Sequence, residues 1–159
     1  MQAMNVFVYG TLMRDEPNHS LIAGRFSQVR PATAAGRLSM GPGFPYMDIP
    51  QEYVLQHGTA QLEADADLCG QSYSIEPAGG WSRVEGELYT FDRFRRDVLE
   101  RLDRLEGFDP RHRDRSLYLR VLTEVTCDDG TQETAWAYVS ADPGRHPLPH
   151  GSWKKVTHS

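Results

Sequence analysis

The sequence predicts one α+β domain, built mainly from strands and containing one well-defined helix. Three patterns indicate this class: an apolar run at 5–9, an amphipathic helix pattern at 92–107, and two strand patterns at 116–127 and 131–140 that flank a tight-turn sequence. The 159 residues are enough to bury a core, and a 39% hydrophobic share with 25% charged residues is ordinary for a globular protein. We therefore expect a single domain over 1–159.

The first half of the chain predicts short, interrupted elements. Asn5 to Tyr9 is apolar enough for a buried strand, and it runs directly into Gly10 without a polar linker. A turn-rich stretch then leads into a short helix around 18–23. The next strand pattern, at 32–49, contains Gly41-Pro42-Gly43, which must turn the chain.

Residues 51–82 have no sustained period and include Gly79-Gly80. A segment of this length inside a compact domain is typical of a lid, a binding loop or disorder, so we expect an insertion here. Two interpretations are equally supported: the segment is a lid that covers the site, or it is an inert surface excursion. Order returns with a strand pattern at 82–91.

The helix at 92–107 carries the clearest pattern in the chain. Asp92 is the expected N-cap, and Gly107 followed by Pro110 closes the helix. Four apolar residues recur at helical spacing: Phe94, Val98, Leu102 and Leu105. On the helical wheel, Glu106 falls on this apolar face, whereas Asp103 falls at its edge. Burial and the negative end of the helix dipole both raise the pKa of a carboxylate placed there, which suits a group that accepts and returns a proton. The alternative is that Glu106 turns out to solvent.

The composition excludes several classes of function. A formal net charge of −5 argues against nucleic-acid binding through bulk electrostatics. The chain has neither an apolar run of membrane-spanning length nor the pattern of a signal peptide, so we expect a cytoplasmic protein that binds no membrane. Cys69 and Cys127 match no disulfide or metal spacing, and His146 and His150 lie in a proline-broken stretch that disfavours a metal site.

Five motifs occur in an order that resembles the gamma-glutamylcyclotransferase-like family. They are "VFVYGTL" at 6–12, "NH" at 18–19, "GELY" at 86–89, "LDRLEGF" at 102–108 and "YLR" at 118–120. Each is weak alone, but the ordered set is specific, and the likeness covers roughly 4–49 and 83–140. The resemblance implies a small mixed β-barrel flanked by helices. The length of 51–82 departs from the short bacterial members, which leaves the substrate's identity open.

The resemblance also implies a site. Its general acid/base would be Glu106, and its substrate loop would consist of Tyr9, Gly10, Thr11 and Leu12. Tyr118 and Tyr138 would line the cavity. Glycine lets backbone N–H groups come close to an anion such as the substrate α-carboxylate.

The reaction that the resemblance implies is formation of 5-oxoproline from a gamma-glutamyl compound, with release of an amine. The attacking amine and the carbonyl belong to one molecule, so a carboxylate can manage the protons and we expect no cofactor or metal. Two alternatives stay open: a binding module for an amino-acid-like small molecule in the same cavity, and an interaction protein that docks through 51–82.

Overall fold

The computed structural model describes residues 3–10, 13, 19, 22–40, 45–70 and 82–140. Within these residues lie seven strands: β1 Met4–Val8, β2 Gln28–Met40, β3 Pro45–Asp48, β4 Gln56–His57, β5 Ser82–Phe91, β6 Tyr118–Cys127 and β7 Gln132–Ser140. Five strands close a barrel in the order β2, β5, β1, β7, β6, and β6 pairs back onto β2. β1 and β7 run parallel whereas their other neighbours in the barrel are antiparallel, so the predicted mixed barrel is confirmed.

The predicted hairpin is confirmed by strand pairing. β6 and β7 turn at Gly130, whose φ of 87° is in the region that favours glycine. β2 and β3 pair antiparallel with Met40 opposite Pro45, and the turn predicted at Gly41-Pro42-Gly43 lies outside the described residues. Of the short helix predicted at 18–23, His19 and residues 22–25 are described, and they form a turn.

Alternation along the strands divides the core into an inner and an outer layer. The inner layer draws on all five barrel strands and on no helix, and includes Phe7, Leu88, Val121 and Ala137. The outer layer, which includes Val6 and Tyr89, packs against the long helix. Tyr9 continues the inner layer just past the end of β1, and therefore lies at the mouth of the barrel.

Helix α1 spans Leu62–Asp67 and helix α2 spans Arg96–Leu105. α2 begins later than predicted, because Arg95 and not Asp92 occupies the N-cap. Leu105 was expected on the buried face but is 39% exposed. The prediction placed Leu105 on the buried face because it counted Phe94 as part of the helix, which shifted the centre of that face. The residues that α2 buries are Val98, Leu99, Leu102 and Asp103. No helix in the described residues is long and apolar enough to cross a membrane.

Residues 51–70 are folded onto the barrel. They contain the 3-10 turns Gln51–Tyr53 and Leu68–Gly70 as well as β4 and α1. β4 pairs with β6, and Leu55, Leu68 and Cys69 pack against Leu122 and Trp136. We expected a lid or an inert surface excursion over 51–82, and the described part, 51–70, is held against the barrel by sheet pairing and apolar packing. Residues 71–81 lie outside the described residues.

Candidate active site

Glu106 is placed by the way α2 ends. It occupies the C-cap, and Gly107 follows with a φ of 66°. The Phe108 N–H donates to the Asp103 carbonyl at 2.9 Å and the Gly107 N–H to the Arg104 carbonyl at 3.3 Å, which is the Schellman arrangement. Glycine is needed at 107 because of this φ and because a Cβ there would lie 3.2 Å from the Leu117 Cβ. The sequence "LEGF" therefore fixes the backbone that carries the carboxylate.

The Glu106 carboxylate is half-buried, and burial raises its pKa from an ordinary 4.5 to about 7. The same charge contributes to the raised pKa values of Tyr9 and Tyr138, after the larger effect of burial on each hydroxyl. Glu106 therefore interacts electrostatically with two tyrosines, Tyr9 just past the end of β1 and Tyr138 near the end of β7. A carboxylate with a pKa near 7 can take and return a proton at neutral pH.

The Tyr9 hydroxyl bridges two backbone groups from different strands. It donates to the Tyr138 carbonyl at 2.5 Å and accepts from the Met47 N–H at 3.2 Å. Its single proton is thereby used, so Tyr9 ties the segment after β1 to β7 and β3 and offers a ligand no hydroxyl hydrogen. Sequence reasoning named Tyr9 as substrate-binding; its observed contacts are those of a residue that holds the loop.

Of the predicted substrate loop, Tyr9 and Gly10 are described, and Thr11 and Leu12 lie outside the described residues. The Gly10 carbonyl accepts from the Met13 N–H at 3.1 Å, so the chain turns here. β5 approaches this end of β1 closely. A Cβ on Gly86 would lie 2.2 Å from the Val8 carbonyl oxygen, which explains the glycine of the "GELY" motif.

Tyr118 and Tyr138 both lie on the outer layer of the barrel. The Tyr118 ring stacks on Tyr46, with centroids 4.8 Å apart and planes at 16°. The charge of Tyr118, after burial, contributes to the raised pKa of Tyr9, so Tyr118 belongs to the same group. The Tyr138 hydroxyl donates to the Asp103 Oδ1 at 2.6 Å. The structure thus gathers four of the predicted residues, Tyr9, Tyr118, Tyr138 and Glu106, around one end of α2.

Sequence reasoning missed a buried ion network beside this group. Arg120, fully buried, donates from Nε to Asp103 Oδ1 at 2.8 Å and from Nη2 to Asp103 Oδ2 at 3.2 Å. Its Nη1 donates to Asp65 Oδ2 at 3.0 Å. Burial raises the pKa of Asp103, and the Arg120 charge and hydrogen bonds oppose that rise. The wheel placed Asp103 at the edge of the apolar face, and its partner on β6 could not be identified without the fold.

The remaining nucleophile types are poorly suited to catalysis here. Burial raises the pKa of the Cys69 thiol to about 11, and also raises that of Cys127. The described residues contain no group of three or more His, Cys, Asp or Glu side chains that could hold a metal ion. Among the described residues, Glu106 is the carboxyl group whose pKa burial raises to about 7.

Comparison with known proteins bears on the family and the fold. The family model described as "Gamma-glutamyl cyclotransferase, AIG2-like" matches residues 6–60 and 51–155. No curated protein sequence matches the chain.

Several solved structures share the fold. YkqA from Bacillus subtilis is 21% identical with a TM-score of 0.61, and the alignment covers 98% of this chain and 41% of YkqA. An AIG2-like protein from Mus musculus is 20% identical with a TM-score of 0.57, over 96% of this chain and 89% of that one. PH0828 from Pyrococcus horikoshii is 17% identical with a TM-score of 0.54, over 97% and 92% of the two chains.

Proposed function

The chain belongs to the gamma-glutamyl cyclotransferase, AIG2-like family, and from this premise we propose that it catalyses gamma-glutamyl cyclotransfer. The reaction converts a gamma-glutamyl compound into 5-oxoproline and a free amine or amino acid. The observation that carries the proposal is Glu106, whose half-buried carboxyl has a pKa of about 7 and interacts electrostatically with Tyr9 and Tyr138. A carboxylate of this kind matches the proton transfers that the reaction needs.

In the proposed mechanism, ionised Glu106 accepts a proton from the substrate α-ammonium. The freed amine nitrogen attacks the γ-carbonyl carbon and closes the five-membered ring. The ring nitrogen then still carries one extra proton. As the C–N bond to the leaving amine breaks, protonated Glu106 donates the first proton to the leaving nitrogen, and the ionised carboxylate then accepts the second proton from the ring nitrogen. That second proton passes to the released amine, which leaves as an ammonium ion, so Glu106 is ionised again and both protons are accounted for. The nucleophile and the electrophile belong to one molecule. Binding this substrate in a folded conformation can therefore lower the activation free energy by on the order of 7–11 kcal/mol.

The segment after β1 would hold the gamma-glutamyl head. Backbone N–H groups at Gly10, Thr11 and Leu12 suit an α-carboxylate, since successive N–H groups at a turn form a concave anion site. Tyr9 supports this role by fixing the start of the segment to two strands. Tyr118 and Tyr138 would line the side of the site nearest α2.

The test is to incubate the purified protein with a panel of gamma-glutamyl amines and peptides and to measure 5-oxoproline. Glu106→Gln keeps the size of the side chain but removes its titrating proton, so turnover should fall about a hundredfold or more while substrate still binds. Glu100→Gln is the matched control, because Glu100 is an exposed acid on the same helix. Binding without any turnover by the wild-type protein would favour the alternative of a non-catalytic binding module.

A further inference from the structure

The strongest unassigned feature is the contact between the segment 51–70 and the buried Arg120 side chain. Arg120 uses both ends of its guanidinium. Nε donates to Asp103 on α2, and Nη1 donates to Asp65 on α1. Nη2 donates to the Thr59 carbonyl at 3.0 Å. Its charge also lies over the rings of Phe108, at 5.3 Å, and Trp136, at 4.9 Å.

The contacts of Arg120 bracket Glu106 in sequence. Asp103 precedes Glu106 by one helical turn, and Phe108 follows it by two residues. These two flanking residues are also joined to each other, because the Phe108 N–H donates to the Asp103 carbonyl. Arg120 therefore holds the side chains on both sides of the turn that carries the Glu106 carboxylate.

Residues 58–65 in turn fix Arg120. A Cβ on Gly58 would lie 2.9 Å from the Arg120 Cζ, so the backbone passes directly over the guanidinium. Asp65 is itself held by Thr59, whose N–H donates to Oδ2 and whose hydroxyl donates to Oδ1, both at 2.8 Å. Both Asp65 oxygens are satisfied by donors, so this carboxylate is a rigid second anchor for the cation.

We propose that Asp65 is a positioning residue for Glu106, acting through Arg120 and Asp103. The acid/base role of Glu106 in this inference rests on the proposed function, but the link from Asp65 through Arg120 to Asp103 does not. The segment 51–70 thereby becomes part of the scaffold of the site. Without Asp65, Arg120 keeps one anionic partner, and the end of α2 is held less firmly.

The charged and titratable groups around Glu106 define what its titration reports. Its charge acts on the hydroxyls of Tyr9 and Tyr138, near the ends of β1 and β7. Tyr138 donates to Asp103, which binds Arg120, and Tyr118 and Asp48 act electrostatically on Tyr9. A loosened helix end would expose Glu106 to water and lower its pKa. Burial is the cause that raises this pKa, so a fall in the pKa reports a loosened helix end.

The experiment compares Asp65→Asn with Asp67→Asn. Both variants remove one negative charge from α1, but Asp65 is buried under Arg120 and Asp67 is exposed. The first readout is the pKa of the Glu106 carboxyl from ¹³C NMR, with its resonance identified by its absence in Glu106→Gln. We expect a fall of about one pKa unit or more in Asp65→Asn and the wild-type value in Asp67→Asn.

The second readout is kinetic. At a temperature where circular dichroism shows the variant folded, Asp65→Asn should lose about tenfold or more in kcat, with KM changed by no more than about twofold. A purely structural Asp65 would lower Tm but leave both the Glu106 titration and kcat of the folded enzyme unchanged, and that result would overturn the proposal. If Asp65→Asn does not fold, Thr59→Val removes one bond to Asp65 and should shift both readouts in the same direction; no shift there would also overturn it. An inactive wild-type protein would refute the proposed function alone, because the NMR titration still tests the link.

Discussion

Replacing Glu106 with Gln should stabilise the protein at alkaline pH while it removes activity. The reason is the pKa of Glu106, which burial raises from 4.5 to about 7 in the folded protein. Between these two values the folded chain holds a proton that the unfolded chain has released. Stability therefore falls as pH rises through this window, since the folded state binds more protons there. Gln resembles the protonated acid and never carries the charge.

The magnitude follows from the difference of about 2.5 between the two pKa values. Each pKa unit corresponds to about 1.4 kcal/mol, so the free energy of unfolding of the wild-type protein should fall by about 3 kcal/mol by about pH 8. This is an upper bound, because Glu106 is only partly buried. Glu106→Gln should then unfold at a Tm higher by up to roughly 6–12 °C for a chain of this length. Near pH 4, where both side chains are neutral, the two proteins should be equally stable.

Urea unfolding followed by circular dichroism across this pH range measures the effect. Glu100→Gln is the control on the solvent face of α2, where the acid pairs with Arg96 at 3.8 Å. Glu100→Gln should lower the free energy of unfolding by no more than about 0.5 kcal/mol, and this difference should not increase above neutral pH. If Glu106→Gln were no more stable than wild type at alkaline pH, Glu106 would carry no ionisation penalty, and the argument for a tuned acid/base would fail.

Three further predictions follow from the same geometry. The kcat/KM of the wild-type enzyme should fall tenfold for each pH unit below about 7, because only ionised Glu106 accepts the substrate proton; a profile flat down to about pH 5 would contradict this. Tyr9→Phe should lower the free energy of unfolding by about 1–3 kcal/mol in urea titrations, because two buried backbone groups lose a partner. Gly86→Ala should destabilise the protein far more than Gly24→Ala, because its Cβ would lie 2.2 Å from the Val8 carbonyl oxygen, whereas alanine at 24 meets no atom within 4 Å and is disfavoured only by the φ of 77°; equal unfolding midpoints would contradict this.

The class of the fold and the end of α2 could be predicted from the sequence because local chemistry determines them. Gly130 and Gly107 have the positive φ values that turns and helix caps require, and the register of β6 with β7 follows from the short turn between them. The strand 82–91 was predicted with the bounds that the structure shows. These features depend on neighbours in sequence, which a pattern can reveal.

The ion network could not be predicted, because its members come from distant parts of the chain. Asp65 is separated from Arg120 by 55 residues, and Asp103 by 17. In the sequence, Asp65 stands in a stretch without periodicity, and charged residues in such a stretch are usually solvated. Only the pairing of β4 with β6 brings residues 58–65 over Arg120. The sequence pattern left 51–82 open between a lid and an inert surface excursion, and the contacts that hold 51–70 on the barrel could not be predicted from it.

The neighbours of Glu106 are arranged so that the carboxylate, and not they, titrates near neutral pH. Burial raises the pKa values of Tyr9 and Tyr138 well above their usual range, so both hydroxyls stay neutral where Glu106 changes charge. Each hydroxyl also donates its proton to a fixed acceptor, the Tyr138 carbonyl in one case and Asp103 in the other. In the proposed reaction, which moves protons from one nitrogen to the other, Glu106 is therefore the group of these three that would carry them. Burial of this carboxyl group destabilises the end of α2 when the group is ionised. The Arg120 network stabilises the backbone of the same helix end.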